Sequence, residues 1–188
     1  MGLLHCIIIG YCTAMTEFGR RAPGSAFRAG VVLVPALLFA GGLAARFSGS
    51  TEANAWYQSL VLPAAQPPGP VFGIAWSILY PLLGIAAALV WGSAGRGRAL
   101  ALMLFGLGIA INLTWSPLFF RYHLILPALA VIGTMLLLAI ATTFAFARVS
   151  RIAAWLLVPY MLWLGFAAAL NFDVWRLNPA ADAFQLEV

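Results

Sequence analysis

The amino-acid sequence predicts an all-α integral membrane protein: a bundle of five transmembrane helices, with a long loop between the first two that acts as a lid. Of its 188 residues, 64% are hydrophobic and only 8% are charged, whereas soluble domains carry about 25% charged residues. The arginines also divide the chain into five uncharged apolar runs that approach the roughly 20 residues a spanning helix needs. These runs are 31–45, 71–91, 99–120, 124–147 and 152–172.

Residues 1–28 precede the first run, and we expect them to be a leader that is disordered or misassigned. Their apolar stretch, 3–10, is short and follows no basic segment, so a signal peptide is only an alternative. The five-helix transmembrane domain is predicted over 29–179. Residues 180–188 then form a C-terminal tail.

The connections between the predicted spans differ in length. Spans 2 to 5 are joined by a few residues each, which makes neighbouring helices antiparallel. A much longer segment, 48–70, joins span 1 to span 2, and it contains the aromatic pair Trp56 and Tyr57 and the double proline Pro67 and Pro68. Because proline fixes the backbone and aromatic rings favour the headgroup layer, this loop is predicted to be an ordered lid.

The arginines predict the orientation of the bundle. All ten basic residues are arginines, and with five acids they give a net charge of +5. Seven arginines lie on the side that holds the N-terminus, here called side A, and three lie on the opposite side B. The positive-inside rule therefore places the N-terminus inside and the long loop outside, in whichever membrane holds the chain. Nucleic-acid binding is excluded, since it would need a basic patch on a water-exposed fold.

Polar and aromatic residues within the spans mark a candidate site. Each such group costs free energy in lipid unless it is paired or faces a cavity. Span 2 begins on side B while spans 3 and 5 end there, so these residues share the side B half of the bundle beneath the loop. They are Trp76, Tyr80, Asn112, Trp115, Trp163 and Asn171. This placement predicts a ligand pocket with a lid.

Structural roles are the alternative for these residues. Tryptophan and tyrosine also anchor helices at membrane interfaces, and a buried asparagine often bonds a neighbouring helix. Trp163 lies near the middle of span 5, so the role of an interface anchor explains it poorly. For Asn112, within span 3, a hydrogen bond to a neighbouring helix remains a good explanation. The histidines, His5 and His123, give no haem-ligating pair, and no metal cluster or catalytic pair can be assembled.

Small residues at helical spacing on span 3 predict a homodimer. Gly106, Ala110 and Thr114 lie four residues apart, the spacing at which two helices approach closely. Similar stripes on spans 1 and 5 are expected to serve packing within the monomer.

Several segments together resemble a known family. They are Trp56-Tyr57, Pro67-Pro68, Val71-Phe72-Gly73, Trp76-Ser77-Ile78-Leu79-Tyr80, 112–120, Pro159-Tyr160, Trp163 and 170–172. In this order, over about residues 30 to 179, the chain resembles the TspO/MBR family of tryptophan-rich sensory and translocator proteins. The resemblance implies five transmembrane helices, frequent dimerisation, and a pocket under the first loop for porphyrins, haem-like tetrapyrroles, sterols or benzodiazepine-type ligands.

The resemblance also implies roles for individual residues. Trp76, Asn112 and Trp163 match the family's pocket positions, and Tyr80, Trp115, Ala167 and Asn171 lie nearby. No cofactor is required, and a porphyrin or haem-like tetrapyrrole is the expected ligand.

The chain departs from the family pattern at two places. The family commonly has a lysine and aromatic residues around the double proline, where this chain has Leu62, Ala64, Ala65 and Pro70. The lid is therefore less basic and less aromatic, which disfavours carboxylate contacts from the loop. The family's sterol-recognition stretch usually centres on tyrosine, and here Phe172 takes that position.

The predicted pocket and the family resemblance together suggest three functions. The leading one is a membrane receptor or sensor for a tetrapyrrole or lipid-like molecule, with a regulatory or transport-related role. The first alternative is an enzyme that oxidises or photodegrades porphyrin through Trp76 or Trp163. The second is a transporter, which is disfavoured because the sequence has no internal repeat and no coupling acid in its spans.

Overall fold

The protein forms an antiparallel bundle of helices in the computed structural model, which describes residues 24–49 and 54–183. Within those residues five helical segments are long and apolar enough to cross a membrane, and no strand is present. The five spans are Ser25–Ser48, Gly69–Gly92, Arg98–Arg121, Ile125–Ala147 and Arg151–Leu177. The prediction of an all-α bundle with five spans is confirmed.

Prolines divide two of the spans into shorter pieces. The helices are α1 (Ser25–Ser48), α2 (Ala55–Gln58), α3 (Gly69–Gly92), α4 (Arg98–Ser116), α5 (Ile125–Ala147), α6 (Arg151–Leu156) and α7 (Val158–Leu177). A wider π-helical turn, Pro117–Arg121, extends α4 and completes the third span. The break between α6 and α7 falls at Leu157, two residues before Pro159, whose ring nitrogen has no hydrogen to continue the helical bonding.

Both ends of the predicted transmembrane domain differ in detail from the structure. Residues 25–28, which we assigned to the leader, form the first turn of α1, while the rest of the leader lies outside the described residues. At the other end, the carboxylate of Asp182 accepts hydrogen bonds from the backbone N–H groups of Ile125 and Leu126, at 3.0 and 2.8 Å. This part of the predicted tail therefore caps the start of α5.

Small residues bring α1 and α3 together in the side A half of the bundle. A Cβ atom on Gly84 of α3 would lie only 2.8 Å from a methyl group of Val34 on α1, so only glycine permits this approach. Buried apolar side chains, including Leu83, Ile132 and Phe146, fill the centre and the side A half. A second, smaller cluster closes the side B end. The space between the two clusters contains the cavity described below.

Candidate functional site

A cavity of about 760 Å³ lies in the side B half of the bundle. Its lining comes from α1, the loop between α1 and α3, α3 itself, α4 with its π-helical turn, and α7. Small-molecule sites in proteins usually measure roughly 300–1,000 Å³. The cavity therefore has the size of a ligand site, at the position that the sequence predicted.

The cavity walls are aromatic and uncharged. Seven aromatic side chains line it: Tyr57, Phe72, Trp76, Tyr80, Trp115, Phe119 and Phe120. Polar side chains are fewer, and no charged residue is among the described residues of the lining. Such a surface binds mainly through stacking and apolar burial.

Asn112 connects three helices at the floor of the cavity. The hydroxyl of Tyr80 on α3 donates a hydrogen bond to its carbonyl oxygen at 3.1 Å, and its amide nitrogen donates to the hydroxyl of Tyr160 on α7 at 3.2 Å. All three side chains are buried. The interhelical bond that the sequence left open is thus present, and Asn112 lines the cavity as well.

Tyr160 is a member of this network that our sequence reasoning did not select. Its ring also meets Trp76 edge to face, with centroids 6.3 Å apart, and Trp76 stacks on Tyr80 at 4.9 Å. The sequence places the Tyr160 hydroxyl within a span, one turn before Trp163. Because a hydroxyl in lipid needs a hydrogen-bond partner, this position could have predicted its place in the network.

A second polar contact fixes the opposite wall. The indole N–H of Trp115 donates to the side-chain oxygen of Asn171 at 3.3 Å, and the amide of Asn171 donates to the carbonyl of Ile125 at 2.9 Å. Trp115 and Asn171 both line the cavity, as does Ala167. These bonds join α4, α5 and α7 on the side B half.

Trp163 lies outside the cavity lining, unlike the other predicted pocket residues. Its ring meets the edge of Phe72, with centroids 5.7 Å apart, and Phe72 lines the cavity. Trp163 also contacts Phe166 on its own helix. Its indole therefore supports a wall residue.

The loop contributes to the cavity through other residues than the sequence suggested. Tyr57 and Gln66 both line it, and the Gln66 amide donates a hydrogen bond to the Tyr57 hydroxyl at 2.8 Å. Trp56 is turned away and stacks on His123 at 4.2 Å. The prolines Pro67 and Pro68 do not line the cavity, although the two residues after them do. The loop's function as a lid stays a prediction.

One side chain at the end of the last span anchors the loop. The carbonyl oxygen of the Asn178 side chain accepts from the backbone N–H of Val61 at 2.8 Å, and its amide donates to the carbonyl of Val61 at 2.9 Å. Next to this pair, Leu60 is buried in the side B cluster. The middle of the loop is thus fixed to α7, while the part that contains Gln66 is held by the Tyr57 bond.

Across residues 24–49 and 54–183, no group of three or more histidine, cysteine, aspartate or glutamate side chains is arranged to hold a metal ion. The site's polar groups are hydroxyls, amides and indoles, which orient a ligand through hydrogen bonds.

Fold and site together define a class: multi-pass membrane proteins of five spans with an aromatic cavity beneath the loop after the first span. Residues 29–176 match the model of the TspO/MBR family, and the chain belongs to that family.

Individual relatives agree with this assignment. The chain is 40% identical to protein CrtK of Rhodobacter capsulatus over 135 residues, which cover 71% of this chain and 84% of the relative. It is 38% identical to the tryptophan-rich protein TspO of Chlorobaculum tepidum, over 73% of this chain and 90% of the relative. It is also 38% identical to the human translocator protein, over 68% of this chain and 77% of the relative.

Proposed function

We propose that this protein is a membrane receptor or sensor that binds a flat, largely apolar molecule, above all a tetrapyrrole, in the cavity beneath the loop. The observation that carries this proposal is the cavity itself, whose aromatic walls present Trp76 and Trp115 to its interior. Flat aromatic ligands gain from stacking and from apolar burial in such a space. Sterols and benzodiazepine-type molecules would use the same apolar surface.

A regulatory or transport-related role is part of the proposal. The names of two relatives, tryptophan-rich sensory protein and translocator protein, support a function in sensing or movement of a ligand. The aromatic lining of the cavity supports the binding step of either role directly.

Tryptophan variants test the proposal. Porphyrin titrations in nanodiscs, followed by the shift of the porphyrin absorbance band, should show Trp76→Ala weakening binding by about 1–3 kcal/mol, as expected for an aromatic wall residue. Trp163→Ala should lower the binding free energy by less, since Trp163 contacts the cavity only through Phe72. The control is Trp155→Ala. Trp155 is 74% exposed, so this variant should bind porphyrin normally.

Two outcomes of the same titrations would change the proposal. Equal losses for Trp76→Ala and Trp155→Ala would show that the tryptophans act on general stability, and the cavity would lose its support as the binding site. Porphyrin absorbance that decays under light with the unmodified protein but persists with Trp76→Phe would favour the alternative function, an enzyme that photodegrades porphyrin.

We propose that the N-terminus faces the inside and the loop the outside, from the excess of arginines on side A. In a chain whose two cysteines are replaced by serine, Ser59→Cys in the loop should react with a membrane-impermeant thiol reagent in intact cells. Ala94→Cys, in the turn between α3 and α4, should react only after lysis. Both positions are exposed, so the reverse pattern would invert the topology.

We also propose a homodimer through α4. Gly106, Ala110 and Thr114 are exposed, and a Cβ on Gly106 would meet nothing within 4 Å in the monomer. Gly106→Leu should therefore shift the protein from dimer to monomer in native mass spectrometry. The matched control is Gly133→Leu on α5, which is also exposed and open. Loss of the dimer in both variants, or in neither, would contradict this interface.

A further inference from the structure

Helices α1 and α3 are in close contact between side A and the middle of the bundle. Gly84 lets the backbone of α3 meet Val34 of α1, and nearer side B Gly41 of α1 lies against the ring of Tyr80. Neither glycine leaves room for a Cβ atom, so the two helices are tightly packed at both places. This contact holds α1 and α3 together as far as Tyr80.

Nearer side B, the same two helices leave a gap between them. A Cβ atom on Gly42 of α1 or on Gly73 of α3 would meet no described atom within 4 Å. Both glycines line the cavity and are exposed, and the same holds for Leu38 and Ser77. A residue that lines a cavity and is also exposed lies where the cavity meets the surface. We call this opening, bordered by Leu38, Gly42, Gly73 and Ser77, the lateral gap.

The surface around the lateral gap is apolar. Each of its four bordering residues is followed in the chain by an exposed, large hydrophobic side chain: Phe39, Leu43, Ile74 and Ile78. The hydroxyl of Ser77 donates to the carbonyl of Gly73 at 2.7 Å, which satisfies it within α3. Both helices are candidate membrane spans, and an apolar surface on a span faces the hydrocarbon of the bilayer. The lateral gap therefore opens onto lipid.

The loop above the cavity is held in place by several contacts. Both backbone polar groups of Val61 bond to the side chain of Asn178, and Leu60 beside it is buried. Nearer α3, Gln66 donates to the hydroxyl of Tyr57. A molecule that passed through the loop would have to break such contacts, whereas passage between α1 and α3 leaves them intact.

We propose that the lateral gap is the entrance to the cavity, through which an apolar ligand passes between the bilayer and the cavity without opening of the loop. This inference rests on the proposed function, because it needs a ligand that binds in the cavity, and it adds the route that the ligand takes. An apolar molecule partitions into the bilayer, so it reaches the lateral gap without returning to water.

A removable group placed in the lateral gap tests this route. In the chain whose two cysteines are replaced by serine, Gly73→Cys is reacted in nanodiscs with benzyl methanethiosulfonate, which attaches a bulky ring through a disulfide. Quenching of tryptophan fluorescence then follows the binding of protoporphyrin IX, and recovery of fluorescence follows its extraction by excess lipid vesicles. Both rates should fall by about tenfold or more, because the ring must be displaced at each passage. Dithiothreitol removes the ring and should restore both rates.

The matched control places the same group beside the gap. Ile74 adjoins Gly73, is 61% exposed and does not line the cavity. Reaction of Ile74→Cys with the same reagent should therefore leave both rates unchanged. Equal slowing at both positions would overturn the proposal, since the reagent would then act on the bundle or the bilayer as a whole.

The remaining outcomes separate the route from the proposed function. Normal binding with unchanged rates in the reacted Gly73→Cys protein would overturn the lateral route and leave the receptor proposal intact. Binding and release that both become about tenfold faster in Asn178→Ala, where the loop loses its anchor to Val61, would also overturn it, because the loop would then limit passage. If protoporphyrin IX gives no saturable quenching with the unmodified protein, the tetrapyrrole proposal fails and the route fails with it.

Discussion

Asn112→Leu is expected to destabilise the bundle by about 2–3 kcal/mol, because it leaves the hydroxyls of Tyr80 and Tyr160 without their partner. Interhelical hydrogen bonds in membranes contribute only about 0.6 kcal/mol on average and up to about 1.7, since helices unfolded in the bilayer find other partners. Two such bonds are lost here, and all three side chains are buried. The expected loss is therefore near the upper limit for two bonds.

Thermal or denaturant unfolding in detergent measures this effect. The control removes the hydroxyls as well: a variant that combines Asn112→Leu with Tyr80→Phe and Tyr160→Phe leaves no orphaned group and should recover most of the stability. A single Asn112→Leu variant that is as stable as the unmodified protein, and loses only porphyrin affinity, would contradict the prediction. Asn112 would then act as a ligand contact.

The five spans could be predicted because their signal is local and large. A transmembrane helix needs a long uncharged segment, and the ten arginines divide this sequence into such segments with little ambiguity. Because short connections make neighbouring spans antiparallel, the order of the spans indicates which helix ends share side B. Helix ends are harder to predict, because Ser25 and Arg28 lie outside the uncharged apolar run and still belong to the first turn of α1.

The site could be predicted only in part, because side-chain direction depends on how each helix is rotated against its neighbours. Trp76, Asn112 and Asn171 line the cavity as expected, whereas Trp163 is placed behind Phe72. Helix rotation depends on close contacts such as that of Gly84 with Val34, which sequence periodicity does not specify. The Asn178 anchor also joins segments far apart in the chain, so no local pattern predicts it.

Gly41→Ala should lower ligand affinity by about tenfold or more while α1 still forms. A Cβ on Gly41 would overlap the ring of Tyr80 and lie 2.7 Å from its hydroxyl oxygen. The ring must then move, which disturbs its stacking on Trp76 and its bond to Asn112. Adding a methyl group to a well-packed contact typically costs about 1–3 kcal/mol of folding free energy. Porphyrin titration in nanodiscs measures the loss.

The neighbouring glycine supplies the matched control for Gly41→Ala. Gly42 also lines the cavity, but a Cβ there would meet nothing within 4 Å, so Gly42→Ala should bind normally and gain about 0.5–1 kcal/mol of helix stability. The double variant Gly41→Ala with Tyr80→Ala should bind no more weakly than Tyr80→Ala alone, since the ring that the methyl group displaces is absent. Additive losses in that cycle would show that Gly41 acts on the cavity by a route other than Tyr80.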